Sequence, residues 1–137
     1  MYHHFINSWI SVLITVAVLW WLNGCTAPIP CHEPVGHWVD REGQTFIFKG
    51  SGEGLWLIQF GSKADTVLLR YRLNCDKHPA LFDLMDIQSG PYSGKTLFGI
   101  LEWNSDTSFR IRYEAGISPE IRPEAFDAQE TLQFYKQ

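Results

Sequence analysis

Few residues in this chain have the type and spacing to do chemistry. Cys31-His32-Glu33 has the composition of a metal site, since thiolate, imidazole and carboxylate all ligate zinc. The spacing works against it. On an extended chain adjacent side chains point to opposite sides and do not converge on one ion. No C-x-x-C, H-E-x-x-H or second cluster accompanies the triplet, so no metal site is expected. His37 has the opposite parity to Trp38 and is expected on the surface. Asp83 and Asp86 are three apart and face opposite sides of a strand, whereas a general acid and its base must share one site. No serine stands in a nucleophile elbow and no glycine-rich loop opens a helix. Gly50 to Gly54 joins two extended runs and reads as a hairpin. The expectation is no catalytic residue, no cofactor and no enzyme.

The cysteines say more. Residues 5–22, FINSWISVLITVAVLWWL, carry no charge and are long enough to cross a bilayer. Such a run is either an anchor that stays or a cleaved export signal. It ends in Leu22-Asn23-Gly24-Cys25, which resembles the lipobox of bacterial lipoproteins. That resemblance implies a signal peptide over 1–24, a diacylglycerol on the Cys25 sulfur and attachment to a membrane of the cell envelope. Thr26, where Asp would imply the inner membrane, points to the outer membrane, with the protein facing the periplasm. With Cys25 lipidated, Cys31 and Cys75 remain. Outside the cytoplasm disulfides persist, so these two are expected to pair; the alternative is two free thiols. Closing that loop adds about 3–4 kcal/mol in the chain-entropy account.

Charge narrows the partners. Every Asp, Glu, Lys and Arg lies at or after Glu33, and the net charge is −4. Nucleic acid is bound by Lys and Arg against phosphate, so no such partner is expected. A chain this short makes one domain with a modest core. Residues 26–34, TAPIPCHEP, hold three prolines and no periodicity. The segment 25–35 therefore reads as the lipidated cysteine and a semi-extended tether, leaving 36–137 as the folded domain.

That domain reads as short strands separated by turns. Val67, Leu69, Tyr71, Leu73 and Cys75 alternate with Leu68, Arg70, Arg72 and Asn74, the period of a half-buried strand. Phe109, Ile111 and Tyr113 alternate with Arg110 and Arg112 in the same way, and 95–103 is apolar on both parities. The two arginine pairs fall on strands that are not neighbours, so they read as solvated faces balanced by acidic residues. Eight strands at this spacing predict an all-β fold, a small antiparallel up-and-down barrel that closes and so loses its edges.

Gly36-x-Trp38 resembles the G-x-W of lipocalins, which implies a Trp38 that plugs the closed end of the barrel. Downstream, Asp83-Leu84, Gly90-Pro91-x-x-Gly94-Lys95-Thr96-Leu97-x-Gly99-Ile100-x-Glu102, Asp106, Arg110-Ile111 and Arg122-Pro123-x-x-Phe126 are similar to a family of uncharacterised bacterial lipocalin-like proteins. The similarity runs from about Gly36 to Lys136. It implies a calycin-type barrel and no known activity. Gly90 and Gly94 suit a turn with unusual φ, and Gly99 within a strand marks a bend or a close backbone approach. Arg122-Pro123-x-x-Phe126 has two readings. In one, Phe126 caps the open mouth while Arg122 pairs with a carboxylate at the rim. In the other, the segment is a recognition loop. Arg122, Pro123, Phe126 and Trp38 are thus the candidate ligand or mouth residues.

The expected inward set is bulky: Trp38, Phe46, Phe48, Trp56, Ile58, Phe60, Leu69, Tyr71, Phe109 and Tyr113. Eight strands either fill their interior with side chains or hold one small ligand, and side chains of this size favour filling. The function expected is a lipid-anchored, non-enzymatic binding or interaction module of the envelope, with an envelope protein as its partner. The alternative is a carrier of a small apolar ligand inside the barrel.

Overall fold

The computed structural model describes residues 27–137, without the side chain of Phe60. The signal segment and Cys25 lie outside the described residues. Eight antiparallel strands form a closed barrel in sequence order: β1 (Gly36–Val39), β2 (Thr45–Phe48), β3 (Glu53–Phe60), β4 (Lys63–Asn74), β5 (Ala80–Met85), β6 (Thr96–Ser105), β7 (Ser108–Gly116) and β8 (Leu132–Lys136). Closure comes from β1 pairing with β8, Trp38 opposite Lys136 and Val39 opposite Tyr135. One 3₁₀ turn, Pro119–Ile121, lies between β7 and β8. Among the described residues no helix is long and apolar enough to cross a membrane.

The interior is packed with side chains. Phe46, Phe109 and Phe134 are completely buried, and Trp38, Trp56, Phe48 and Phe82 nearly so. Their rings form a continuous chain: Phe46 meets Trp56 and Phe134 at 5.2 Å, Phe134 meets Phe109 at 5.6 Å, and Phe109 meets Trp38 at 4.7 Å. Of the expected inward set, Ile58, Leu69 and Tyr71 are also buried, and Tyr113 is half-buried.

β6 is buried on both faces. Leu97, Leu101 and Trp103 join the interior, while Phe98 and Ile100, on the opposite parity, are buried outside that core. A strand with two apolar faces must be covered twice. The second cover is the 117–131 connection, which lies against the outer wall of β5 to β7. Gly99, on the inward parity of Leu97 and Leu101, lets β6 run close to its neighbouring strands, because a Cβ there would sit 2.7 Å from the Phe82 carbonyl oxygen and 2.9 Å from that of Arg112.

The barrel has two unlike ends. One gathers the 49–52, 75–79 and 106–107 turns and receives the segment before β1. The other gathers 40–44, 61–62, 86–95 and the start of 117–131.

Candidate functional site

The segment before β1 does not hang free. Cys31 is disulfide-bonded to Cys75 at the end of β4, with Cα atoms 5.7 Å apart. The His32 ring stacks on Trp103 with centroids 3.9 Å apart. The Trp103 indole N–H donates to the His32 carbonyl at 3.1 Å, and that of Trp38 to the Pro34 carbonyl at 2.6 Å. Proline-rich chain has carbonyls with no internal partners, and here they satisfy two buried indoles. Tyr71 donates its hydroxyl to the Lys49 carbonyl at 2.7 Å, with Glu33 Oε2 3.4 Å away. Burial first, then the charge and hydrogen bond of Glu33, push the Tyr71 phenol up to about 12. Residues 31–35 thus form a plug, where the sequence alone suggested a tether. Trp38 belongs to this plugged end, away from the mouth.

Arg122, Pro123 and Phe126 also lie away from the mouth. Arg122 Nη1 sits 2.6 Å from Asp83 Oδ1 on the outer wall and donates to the Gly99 carbonyl. Asp83, with a side chain only 3% exposed, also pairs with Arg72 at 3.0 Å. A carboxylate this buried needs such partners. Pro123 is buried, and the Phe126 ring lies under the Arg110 guanidinium, 4.2 Å from its centroid. Arg112 anchors the same segment through Asp127 at 2.9 Å and Glu130 at 2.6 Å. Phe98 and Ile100 need covering, and this segment covers them, so its arginines clamp a lid to the wall. Arg70 and Arg110 have acidic neighbours too, Asp86 and Glu102.

The mouth is built by other residues. Asp40 follows Trp38 by two and shares its inward parity at the end of β1. It is 8% exposed. Its Oδ1 accepts from the backbone N–H groups of Glu42 at 2.9 Å and Gln44 at 2.8 Å, which shapes the β1–β2 turn. Its Oδ2 has no hydrogen-bond partner among the described residues, and neither has the indole nitrogen of Trp56. Tyr92, carried by the 86–95 loop, lies nearly parallel to Trp56, with centroids 5.7 Å apart and planes at 11°. Trp56, Tyr92, Tyr113, Gln44 and Glu42 line a recess of about 250 Å³. Burial, then Tyr92, then Asp40 hold the Tyr113 phenol well above the usual tyrosine range, so it stays a neutral hydroxyl. The Asp40 Oδ2 and the Trp56 indole nitrogen are both shielded from solvent; Asp40 lines the adjoining recess with Arg41, Thr131 and Tyr135, and the recess beside Trp56 presents Glu42, Gln44 and the Tyr92 and Tyr113 side chains. Strand parity could have shown Asp40; the contribution of Tyr92 depends on how its loop folds back.

Among the described residues, no group of three His, Cys, Asp or Glu could hold a metal ion. Compared with protein-family models, with curated proteins and with solved structures, the chain matches none.

Proposed function

We propose that this chain is a lipid-anchored β-barrel of the cell envelope, acting as a non-enzymatic binding or interaction module. The observation that carries this reading is the filled and plugged barrel. Among the described residues its interior is filled by buried aromatic and aliphatic side chains, which speaks against a carrier of a small apolar ligand inside the barrel. A rigid body of this kind works through its surface and its open end. The Cys31–Cys75 bridge supports an oxidising compartment and leaves Cys25 as the remaining cysteine for a lipid. The lipobox-like Leu22-Asn23-Gly24-Cys25 supports the same location, with the outer membrane favoured by Thr26.

The plug also bears on orientation. Only residues 26–30 separate Cys25 from Cys31, a reach of at most about 20 Å for extended chain. A lipid on Cys25 would therefore hold the plugged end against the bilayer and turn the mouth away from it. Intact mass of the membrane-bound protein tests the anchor. The wild type should give a lipidated chain starting at Cys25, and Cys25→Ser should give no lipidated or shortened species. A wild-type protein that keeps residues 1–24 with a bare Cys25 thiol would contradict the proposal.

A further inference from the structure

We infer that the outer wall formed by β1 to β4 docks a second copy of this chain across a two-fold axis. This rests on the reading of the chain as an interaction module and names its partner. The two halves of the outer wall differ. On β6, the outward Phe98 and Ile100 are covered by the chain's own 117–131 segment. The opposite half has no such cover among the described residues. Register sets Val39, Thr45 and Leu57 side by side across β1 to β3, and Ile47, Leu55 and Leu68 in the next row across β2 to β4. Tyr135 on β8 extends the first row, opposite Val39. Leu57 and Tyr135 are exposed, and Leu68 is 57% exposed in mid-strand. Contiguous apolar surface of this kind marks a contact site.

Charge selects the occupant. A two-fold contact sets each residue near the axis against its own copy, so a charge there would meet its like. Neither row holds an Asp, Glu, Lys or Arg. The chain as a whole carries −4, so two copies repel, and they repel least where these uncharged rows meet. The charges beside the wall lie towards the plugged end in pairs of opposite sign, Lys49 with Glu53 and Arg70 with Asp86. Such a polar rim around an apolar centre is usual for a protein contact.

Shape and orientation agree with this occupant. A hollow of about 570 Å³ lies beside Leu55 and Leu68, bounded by Ile87, Gln88 and Lys95, so the Leu57 ridge of one copy has a place to enter on the other. The wall faces neither end of the barrel. With both plugged ends held to one bilayer, a two-fold axis along the membrane normal joins two walls side by side. Strands about 4.8 Å apart and two to three outward residues deep give a projected face of roughly 400 Å². That is below the ~800 Å² per partner of a standard interface, and confinement to a bilayer raises the effective concentration of such a weak pair.

The test is photo-cross-linking in intact cells that express the full chain, with the photoreactive residue p-benzoylphenylalanine placed at Leu57. A covalent product of two copies, identified by peptide mapping, is expected. The same group at Ile117, almost fully exposed but outside this wall, should give at least about 10-fold less of it. Leu68→Glu and, separately, Thr66→Glu each set like charges against each other at an exposed position, and each should lower the yield from Leu57 at least about 10-fold. An unchanged amount of protein with the Cys31–Cys75 bridge closed shows that a variant still folds. Cross-linking of Leu57 mainly to a different protein or to lipid, no product, or a yield unmoved by both folded variants overturns the inference. Those results leave the anchor untouched, and a bare Cys25 with residues 1–24 attached overturns the anchor alone.

Discussion

The two ends of this barrel hold similar residues in opposite states. At the plugged end, Trp38 and Trp103 each donate an indole N–H to a carbonyl of the preceding segment. At the mouth, Trp56 is as deeply buried and its indole nitrogen has no partner among the described residues. The phenol of Tyr71 is held between the Lys49 carbonyl and Glu33, while Tyr113 lies near Asp40, whose second oxygen has no partner among the described residues. An unpaired buried polar group costs about 1–3 kcal/mol. The leader thus satisfies the buried donors of one end, while the other keeps two buried polar atoms without a partner among the described residues.

The largest expected effect comes from cutting the plug loose. Replacing Cys31 and Cys75 together by serine should lower unfolding free energy by about 3–4 kcal/mol, visible as a drop in midpoint of well over 10 °C for a domain of this size, by roughly 4–8 °C per kcal/mol. A drop of a few degrees or less would mean that the leader adds little to this end. Next is a paired substitution. Trp38→Phe strands the Pro34 carbonyl in a buried site, whereas Trp56→Phe removes a donor that had no partner. Chemical denaturation should show Trp38→Phe to be the more destabilising by at least about 1 kcal/mol; equal losses would erase the contrast between the ends.

The smallest effect is in alkaline titration. The Tyr71 phenol, pushed up to about 12 by burial and then by Glu33, compares with about 10 in an unfolded chain. The folded state therefore keeps this proton more tightly. The stability it contributes is fully present below pH 10 and is lost as pH rises through about 12. Glu33→Gln should bring the Tyr71 transition down in ultraviolet titration, and Asp40→Asn should lower that of Tyr113 by less, since Asp40 ranks behind burial and Tyr92 there. A Tyr71 transition that ignores Glu33→Gln would remove the leader from this contact.

Much of the architecture was legible in the residues. The strict alternation along 67–75 and 109–113 gave the strands of β4 and β7, and the bulk of the inward set gave the filled interior. What was misread follows from two physical causes. The proline-rich leader has no period and no internal hydrogen bonds, so it looked like a tether; its unpaired carbonyls are what suit it to cap two indoles. Arg122 does pair with a carboxylate, as one reading of the sequence expects, but that carboxylate is Asp83 on the outer wall, and Phe126 covers the wall and not the mouth. Phe98 and Ile100 are apolar on the outward parity of β6, which called for a cover that the 117–131 connection was long enough to supply. The mouth stayed hidden because Asp40 ends a strand and Tyr92 sits in a loop, and only the closed barrel brings them near Trp56.

The most direct test of the plugged barrel is the His32–Trp103 stack in the full mature chain. Nuclear Overhauser measurements should show strong cross-peaks between the His32 ring protons and the Trp103 indole, as a centroid distance of 3.9 Å requires. Random-coil shifts for residues 31–35, with no cross-peak to Trp103 in the oxidised protein, would show that the leader is a tether after all.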